Sequence, residues 1–493
     1  MIKIKKMKYV RLAIMVFLSI IPATSCENWL ELIPPDGLVR DEYWKSKEDL
    51  EATLMGAYQT FAGLDEKLFL YGELRADMIT VDNNAQNAER DISEGNIYPY
   101  NQLCDWSDFY VVINYCNNVL KYAPIIIEFD QTFTEYQMRG FKAEAVFLRS
   151  LAYFYLVRIF KDVPLVLEPS EEDDVDFFLP KSSDTEILRV IKEDLEEARY
   201  FVTDDYGSVE KNLGRATKGS FLALLAEISL WNFEYQDCID YVNEIEELGY
   251  LLLPGGKLFE IFYPGNSLES IFEFQFDESL DQSNSMWSYT YYRNNNYLAS
   301  DNAIEILAPE SSGEVLRGPV SLRSHDAMIW KFCGAASDGA TFRPSSERAS
   351  ANWIVYRYAD VLLMKAEALS QLEEFDEALV IVNSIRNRVL MNEIEIQSTA
   401  EAFEDAIINE RAKELAFEGK RWFDLLRLGR RNNYARKSKL IEIIIEKVPS
   451  TQKLVLASKL TNPLGWYLPI QEDELERNSK LVQNPYYADY SSN

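Results

Sequence analysis

The chain has 493 residues, 80 of them Asp or Glu against 50 Lys or Arg, for a formal net charge of -30. That surplus of acid argues against binding nucleic acid or anionic lipid surfaces through charge. One histidine, His325, excludes a histidine-rich zinc site or a two-histidine iron site, while hydrophobic residues at 47% are ample for a large core.

Residues 1–25 read as a signal peptide: Lys3, Lys5, Lys6, Lys8 and Arg11, an apolar run from Leu12 to Ile21, then Ala23-Thr24-Ser25. The apolar run is too short to span a bilayer. Cys26 follows, where a bacterial lipoprotein carries its acylated N-terminal cysteine. Ordinary secretory cleavage after Ser25 is the rival reading, since lipoprotein signals usually have Leu in place of Ala23 and Gly or Ala in place of Ser25. Without the five leading cations the net charge becomes -35.

Residues 26–45 form an extended tether in which Pro34-Pro35 resists helix. Ser46 and Asp49 make a capping-box start for a helix with the apolar stripe Leu50, Leu54, Ala57, Tyr58 and Phe61. Residues 71–102 break the periodicity. They form a polar loop region where Asn83, Asn84, Gln86, Asn87, Asn96 and Asn101 sit with Asp77, Asp82, Tyr98 and Tyr100. Helices are expected over 106–122 and 133–160. Cys104 and Cys116 are expected to share the first, about 18 Å apart and too far for a disulfide. The acids of 168–176 read as a solvated charge run, without the spacing of a calcium loop. Ser183 and Glu186 cap a helix that continues through Ala198.

An internal repeat follows. FLALLAEISLWNFEYQDCIDYVNEI (221–245) aligns without gaps with VLLMKAEALSQLEEFDEALVIVNSI (361–385), 140 residues on, each copy reading as helix, short turn and helix. Between the copies, residues 249–350 read as an insertion of strands and loops. Phe272, Phe274 and Phe276 alternate with polar residues as a half-buried strand would, and Trp287, Tyr289 and Tyr291 alternate in the same way. Beyond the second copy, residues 409–430 read as one amphipathic helix carrying Ala412, Leu415, Gly419, Trp422 and Leu426 on one face. Arg411–Glu414, Glu418–Arg421 and Asp424–Arg427 are its expected pairs. A glycine inside such a helix suggests that another backbone comes close.

Taken together these stretches resemble the SusD/RagB family over 26–487. The pieces, in the family's order, are CENWLELIPPDGLVRDEYWKSKEDLEATLMGAY, WSDFYVVINYCNNVL, KAEAVFLRSLAYFYLVRIFKDVPLV, GRATKGSFLALLAEISL, WIVYRYADVLLMKAEAL, NERAKELAFEGKRWFDLLRLG and YLPIQEDELERNSKLVQNPYY. The resemblance implies a mainly α fold of stacked tetratricopeptide-like helix pairs, an α-α superhelix, carrying an irregular loop and short-strand ligand-binding subdomain. In this chain the divisions would be 46–248 for the N-terminal helical part, 249–350 for the variable insertion and 351–493 for the C-terminal helical part. It further implies a non-catalytic lipoprotein anchored through Cys26 on the outer face of the outer membrane. Such a protein binds oligosaccharides, sometimes peptides, partners a SusC-like TonB-dependent transporter and needs no cofactor or metal.

Glycans present apolar C–H faces and many hydroxyls, so a binder wants aromatic surfaces beside groups that donate and accept hydrogen bonds. Two stretches fit: Trp287, Tyr289, Tyr291, Tyr292, Arg293, Asn295 and Tyr297, and the loop with Asp77, Asn83, Asn84, Tyr98 and Tyr100. The alternative is packing on the helices beneath for the first and structural turns for the second. Trp106 and Trp353 are expected in the core, and Trp330 is left open. A glycoside hydrolase would need only two carboxylates, and no local motif singles out a pair.

Overall fold

Ser46 opens the first helix of the computed structural model, which describes residues 44–82, 84–170, 178–291, 296–395 and 399–490. Its hydroxyl accepts from the Asp49 amide and the Asp49 carboxylate takes the Ser46 amide, the reciprocal cap expected for α1 (Lys47–Ala62). After α2 (Asp65–Glu73), α1 packs on α3 (Ser107–Ile126) and both meet α4 (Glu135–Phe160). From Ala143 to Phe160 every residue of α4 is buried, as befits a helix surrounded by others, and α5 (Asp184–Ala198) packs beside it. From Ser46 onward the chain clusters as one compact unit.

The two repeat copies fold alike, as α6 (Lys218–Trp231) with α7 (Tyr235–Glu246) and, after the one-turn α8 (Met286–Thr290), α9 (Tyr358–Gln371) with α10 (Phe375–Arg388). Phe233 and Glu373, at matching positions, both turn the chain with φ of 65°. Each copy also buries a glutamate at the same place. Glu227 accepts from Arg158 of α4 and from the Tyr356 hydroxyl, each at 2.6 Å; Glu367 takes two bonds from Arg427, at 2.7 and 2.6 Å. Apolar faces bury by stacking pair on pair, and these charge-assisted bonds fix how neighbouring helices meet.

The 409–430 stretch is two helices. α11 (Ala400–Glu414) ends at Leu415, and α12 (Arg421–Tyr434) starts after a turn where Phe417 and Gly419 take φ of 65° and 71°. The apolar spacing continues across the break because Ala412, Leu415, Trp422 and Leu426 all face inward. Gly419 does mark a close backbone: a Cβ on Gly72 would lie 1.9 Å from the Gly419 carbonyl oxygen. Of the expected pairs, Asp424–Arg427 forms at 2.9 Å. The other two are replaced by Arg411 with Asp424 and Asp360, Glu418 with Arg357 and Lys331, and Arg421 with Asp77. These groups are buried, and buried charges need partners on every side, which the rest of the fold supplies.

Strands of the insertion enter three antiparallel two-stranded ladders, two of them with a partner strand from outside 249–350. β1 (Ile79–Val81) pairs with β3 (Tyr297–Ala299), β2 (Ser270–Phe274) with β6 (Trp353–Arg357), and β4 (Leu322–Arg323) with β5 (Met328–Ile329). β2 is buried on both faces rather than half-buried, because Asn352 and the Asn266 amide bond the Glu273 carboxylate on its polar side. Trp106, Trp353 and Trp330 are all in the core. Cys104 lies in the short turn Gln102–Cys104 ahead of α3, not on a helix with Cys116, and the four described cysteines are buried free thiols. Among the described residues no helix is long and apolar enough to cross a membrane. Cys26, the acids at 171–176 and the candidates Asn83, Tyr292, Arg293 and Asn295 lie outside the described residues.

Candidate functional site

The two stretches chosen for their aromatics and amides are neighbours in space. Ile79 faces Ala299, Thr80 faces Leu298 and Val81 faces Tyr297; the Asp82 amide then donates to the Asn296 carbonyl at 2.8 Å. The Asn296 amide in turn donates to the Tyr289 carbonyl at 2.9 Å, which ties the ladder to α8 (Met286–Thr290). Asn84 is exposed at the end of β1 and donates to Asp82 Oδ2 at 3.5 Å.

Trp287, Tyr289 and Tyr291 are not on a strand. Met286–Thr290 is one helical turn, begun where the Ser285 amide donates to Asp65 and the Asn284 side chain accepts from the Met286 amide. On a helix, residues four apart share a face. Trp287 and Tyr291 accordingly stack, with centroids 4.6 Å apart and planes 21° from parallel. Phe342 meets both rings edge-on at 6.2 and 5.5 Å and rests on buried Trp330. The Arg348 guanidinium lies 5.3 Å from the Trp287 ring. Trp287 and Tyr291 are half-buried, so the pair offers one aromatic surface with a cation beside it. Phe342 and Arg348 were not marked by the sequence and Trp330 was left open, since no local pattern joins the 330–348 run to α8.

Tyr289 turns the other way. Its hydroxyl bonds Glu66, and its ring packs 5.9 Å from Tyr297. Burial pushes the Glu66 carboxyl up to about 7; the Tyr289 bond and Lys67 oppose the rise, while Glu89 and Asp65 add to it. Burial likewise raises Glu89.

Two candidates are corrected. Tyr297 is fully buried, because the alternation of β3 turns it inward against Phe69. Asp77 is buried and holds Arg421 in two bonds, at 2.7 and 3.0 Å, while accepting from Asn302 at 2.8 Å. It ties α12 to the start of β1 and faces no solvent. Tyr98 and Tyr100 stack in near-parallel planes 5.2 Å apart, with Tyr100 exposed, and Pro99 between them accepts from Glu472 of the C-terminal segment.

The sequence also gave no sign of an open cleft of about 880 Å³ that shares no lining residue with the Trp287–Tyr291 pair. Tyr263, Asn266, Gln275, Gln282 and Asn352 line it, and Asn266 and Gln275 exchange amide hydrogen bonds at 3.0 and 2.9 Å. Among the described residues no group of three or more His, Cys, Asp or Glu is placed to hold a metal ion.

The chain is similar to known proteins over most of its length. Residues 329–487 match the model of the SusD family, and residues 28–230 match a second model described as starch-binding, associating with the outer membrane. A SusD-like protein of Formosa agariphila is 26% identical over 480 residues, covering 86% of this chain and 92% of that protein. A SusD superfamily protein from Bacteroides thetaiotaomicron superposes with a TM-score of 0.71 at 24% identity, over 90% of this chain and 99% of its own. A laminarin-binding SusD-like protein gives 0.70 at 23% identity, over 90% and 100%. These structural likenesses establish the helical fold.

Proposed function

The chain belongs to the SusD family, and on that premise we propose that it is an outer-membrane lipoprotein that binds oligosaccharides at the cell surface. It hands them, uncleaved, to a partner TonB-dependent transporter. The observation that carries the binding reading is the half-buried Trp287–Tyr291 stack on α8 with the Arg348 guanidinium beside it, α8 being tied to the β1–β3 ladder where the Asn296 amide donates to the Tyr289 carbonyl. A pyranose ring lays its C–H face on such a surface, and amides and a guanidinium at the rim take its hydroxyls. Tyr292, Arg293 and Asn295, next in the sequence after Tyr291, stay candidates for the same ligand by residue type. The named laminarin binder among the structural neighbours makes β-glucans the first class to try.

Calorimetry of the chain without its first 26 residues, against laminarin, starch, xylan and peptide panels, tests this. One glycan class should bind. Trp287→Ala should weaken it about tenfold, the worth of one aromatic contact, and shift the melting temperature by no more than a few degrees. Gln282→Ala, in the separate cleft, should leave affinity unchanged. An unaltered affinity in Trp287→Ala, a response to peptides alone, or new reducing ends in the incubated glycan would each overturn the reading.

A further inference from the structure

Beneath the turn at 93–97 lies a small cavity bordered by three cations. Arg75, Lys447 and Lys459 line it with Trp422, Ile97 and Tyr487, and no carboxylate is among its lining residues. Its free volume is about 20 Å³, room for one water-sized body. Arg75 is buried. One of its nitrogens donates to the Trp466 carbonyl at 2.5 Å and its plane lies 4.4 Å from the Trp422 ring, but Nη2 has no acceptor. The groups nearest its charge, Tyr487, Cys104, Tyr71 and Tyr467, are neutral. Buried Arg158, Arg317, Arg357, Arg411 and Arg427, by contrast, each meet a carboxylate.

Lys447 donates to the Leu74 carbonyl at 3.1 Å and Lys459 to the Glu94 carbonyl and Asn96 Oδ1. All three acceptors are neutral. The acids facing Lys447 are Asp77, already held by Arg421, and exposed Glu94; Arg75 repels it. The Trp422 indole N–H is also buried without an acceptor. Unpaired buried charge is costly, and donors without acceptors compound the cost.

We infer that this cavity binds one small monovalent anion of chloride's size and charge, held by Arg75 and Lys447. A water would fit the space but carries no charge to balance the cations. The site lies where α12, the 93–97 turn and the C-terminal segment meet, so its occupant should brace that seam. Burial pulls Lys447 down to about 7, so binding should weaken as pH rises and the ammonium loses its proton.

The test uses the purified full chain in sodium gluconate, exchanged at constant ionic strength for sodium bromide. Melting temperature should rise saturably by a few degrees, more at pH 6 than at pH 9. Crystals grown in bromide should show an anomalous peak between Arg75 and Lys447. Lys447→Met, whose folding is checked by circular dichroism, should lose the bromide increment; Arg75→Met is the second variant. An ordinary water at the site, equal effects of gluconate and bromide, or an increment that survives in Lys447→Met would overturn the inference.

Discussion

Glu66 is the acid on which the inner side of α8 rests, and its titration has a definite sign. Its ordinary pKa is 4.5, and in the folded chain burial first, then Glu89 and Asp65, raise it to about 7. Between these values the folded chain keeps a proton that the unfolded chain releases. Stability therefore falls as pH rises through that window, and the loss is complete above about 7. Glu66→Gln removes the titration and keeps an acceptor for Tyr289. Melting curves at pH 5 and pH 8 should show the variant close to the parent at pH 5 and above it at pH 8; the same gap at both would disprove the assignment. Which polar or aromatic residues reach solvent was the least legible property in the sequence. Asp77 and Tyr297 stand in promising stretches, yet Arg421 and Phe69, remote in sequence, close over them. Trp287 kept its exposure because nothing remote covers it fully.

At the scale of elements, the break between α11 and α12 is set by two glycines. Gly419 takes φ of 71°, and a Cβ there would sit 2.9 Å from the Trp353 ring. Gly72 faces the Gly419 backbone itself. Gly419→Ala should cost about 2 kcal/mol from its left-handed conformation and crowding. Gly72→Ala, meeting rigid backbone, should cost about 4 kcal/mol or more. Urea unfolding measures both, and the reverse order would refute the close-approach account. The repeat was legible because each helix pair is local: one turn at Phe233 or Glu373 closes it. α8 was misread for a definable reason. Residues 287 and 291 share a side on a strand and on a helix alike. Only Tyr289 distinguishes the two, and it points to Glu66 instead of joining the other rings. The single-helix reading of 409–430 failed in the same way, since inward-facing residues keep helical spacing across a tight turn.

At the scale of the whole molecule, charge and attachment pull apart. A net charge of -30, or -35 without the leading cations, is repelled by anionic lipid headgroups, so electrostatics gives the chain no hold on a membrane. No described helix spans a bilayer. On the proposed reading the hold is covalent lipid at Cys26, which lies outside the described residues. Each buried CH₂ of an acyl chain contributes roughly 0.8 kcal/mol, and two or more chains make release slow where one would not. The parent chain, expressed with its first 25 residues, should therefore stay with membranes through high-salt and carbonate washes and leave only in detergent. Cys26→Ser should appear in the soluble fraction with an unchanged melting temperature, because the compact unit begins at Ser46. High salt separates the lipid from a merely docked state, since charge-based docking is screened there. A Cys26→Ser chain that still sediments with membranes in high salt would exclude the lipid anchor.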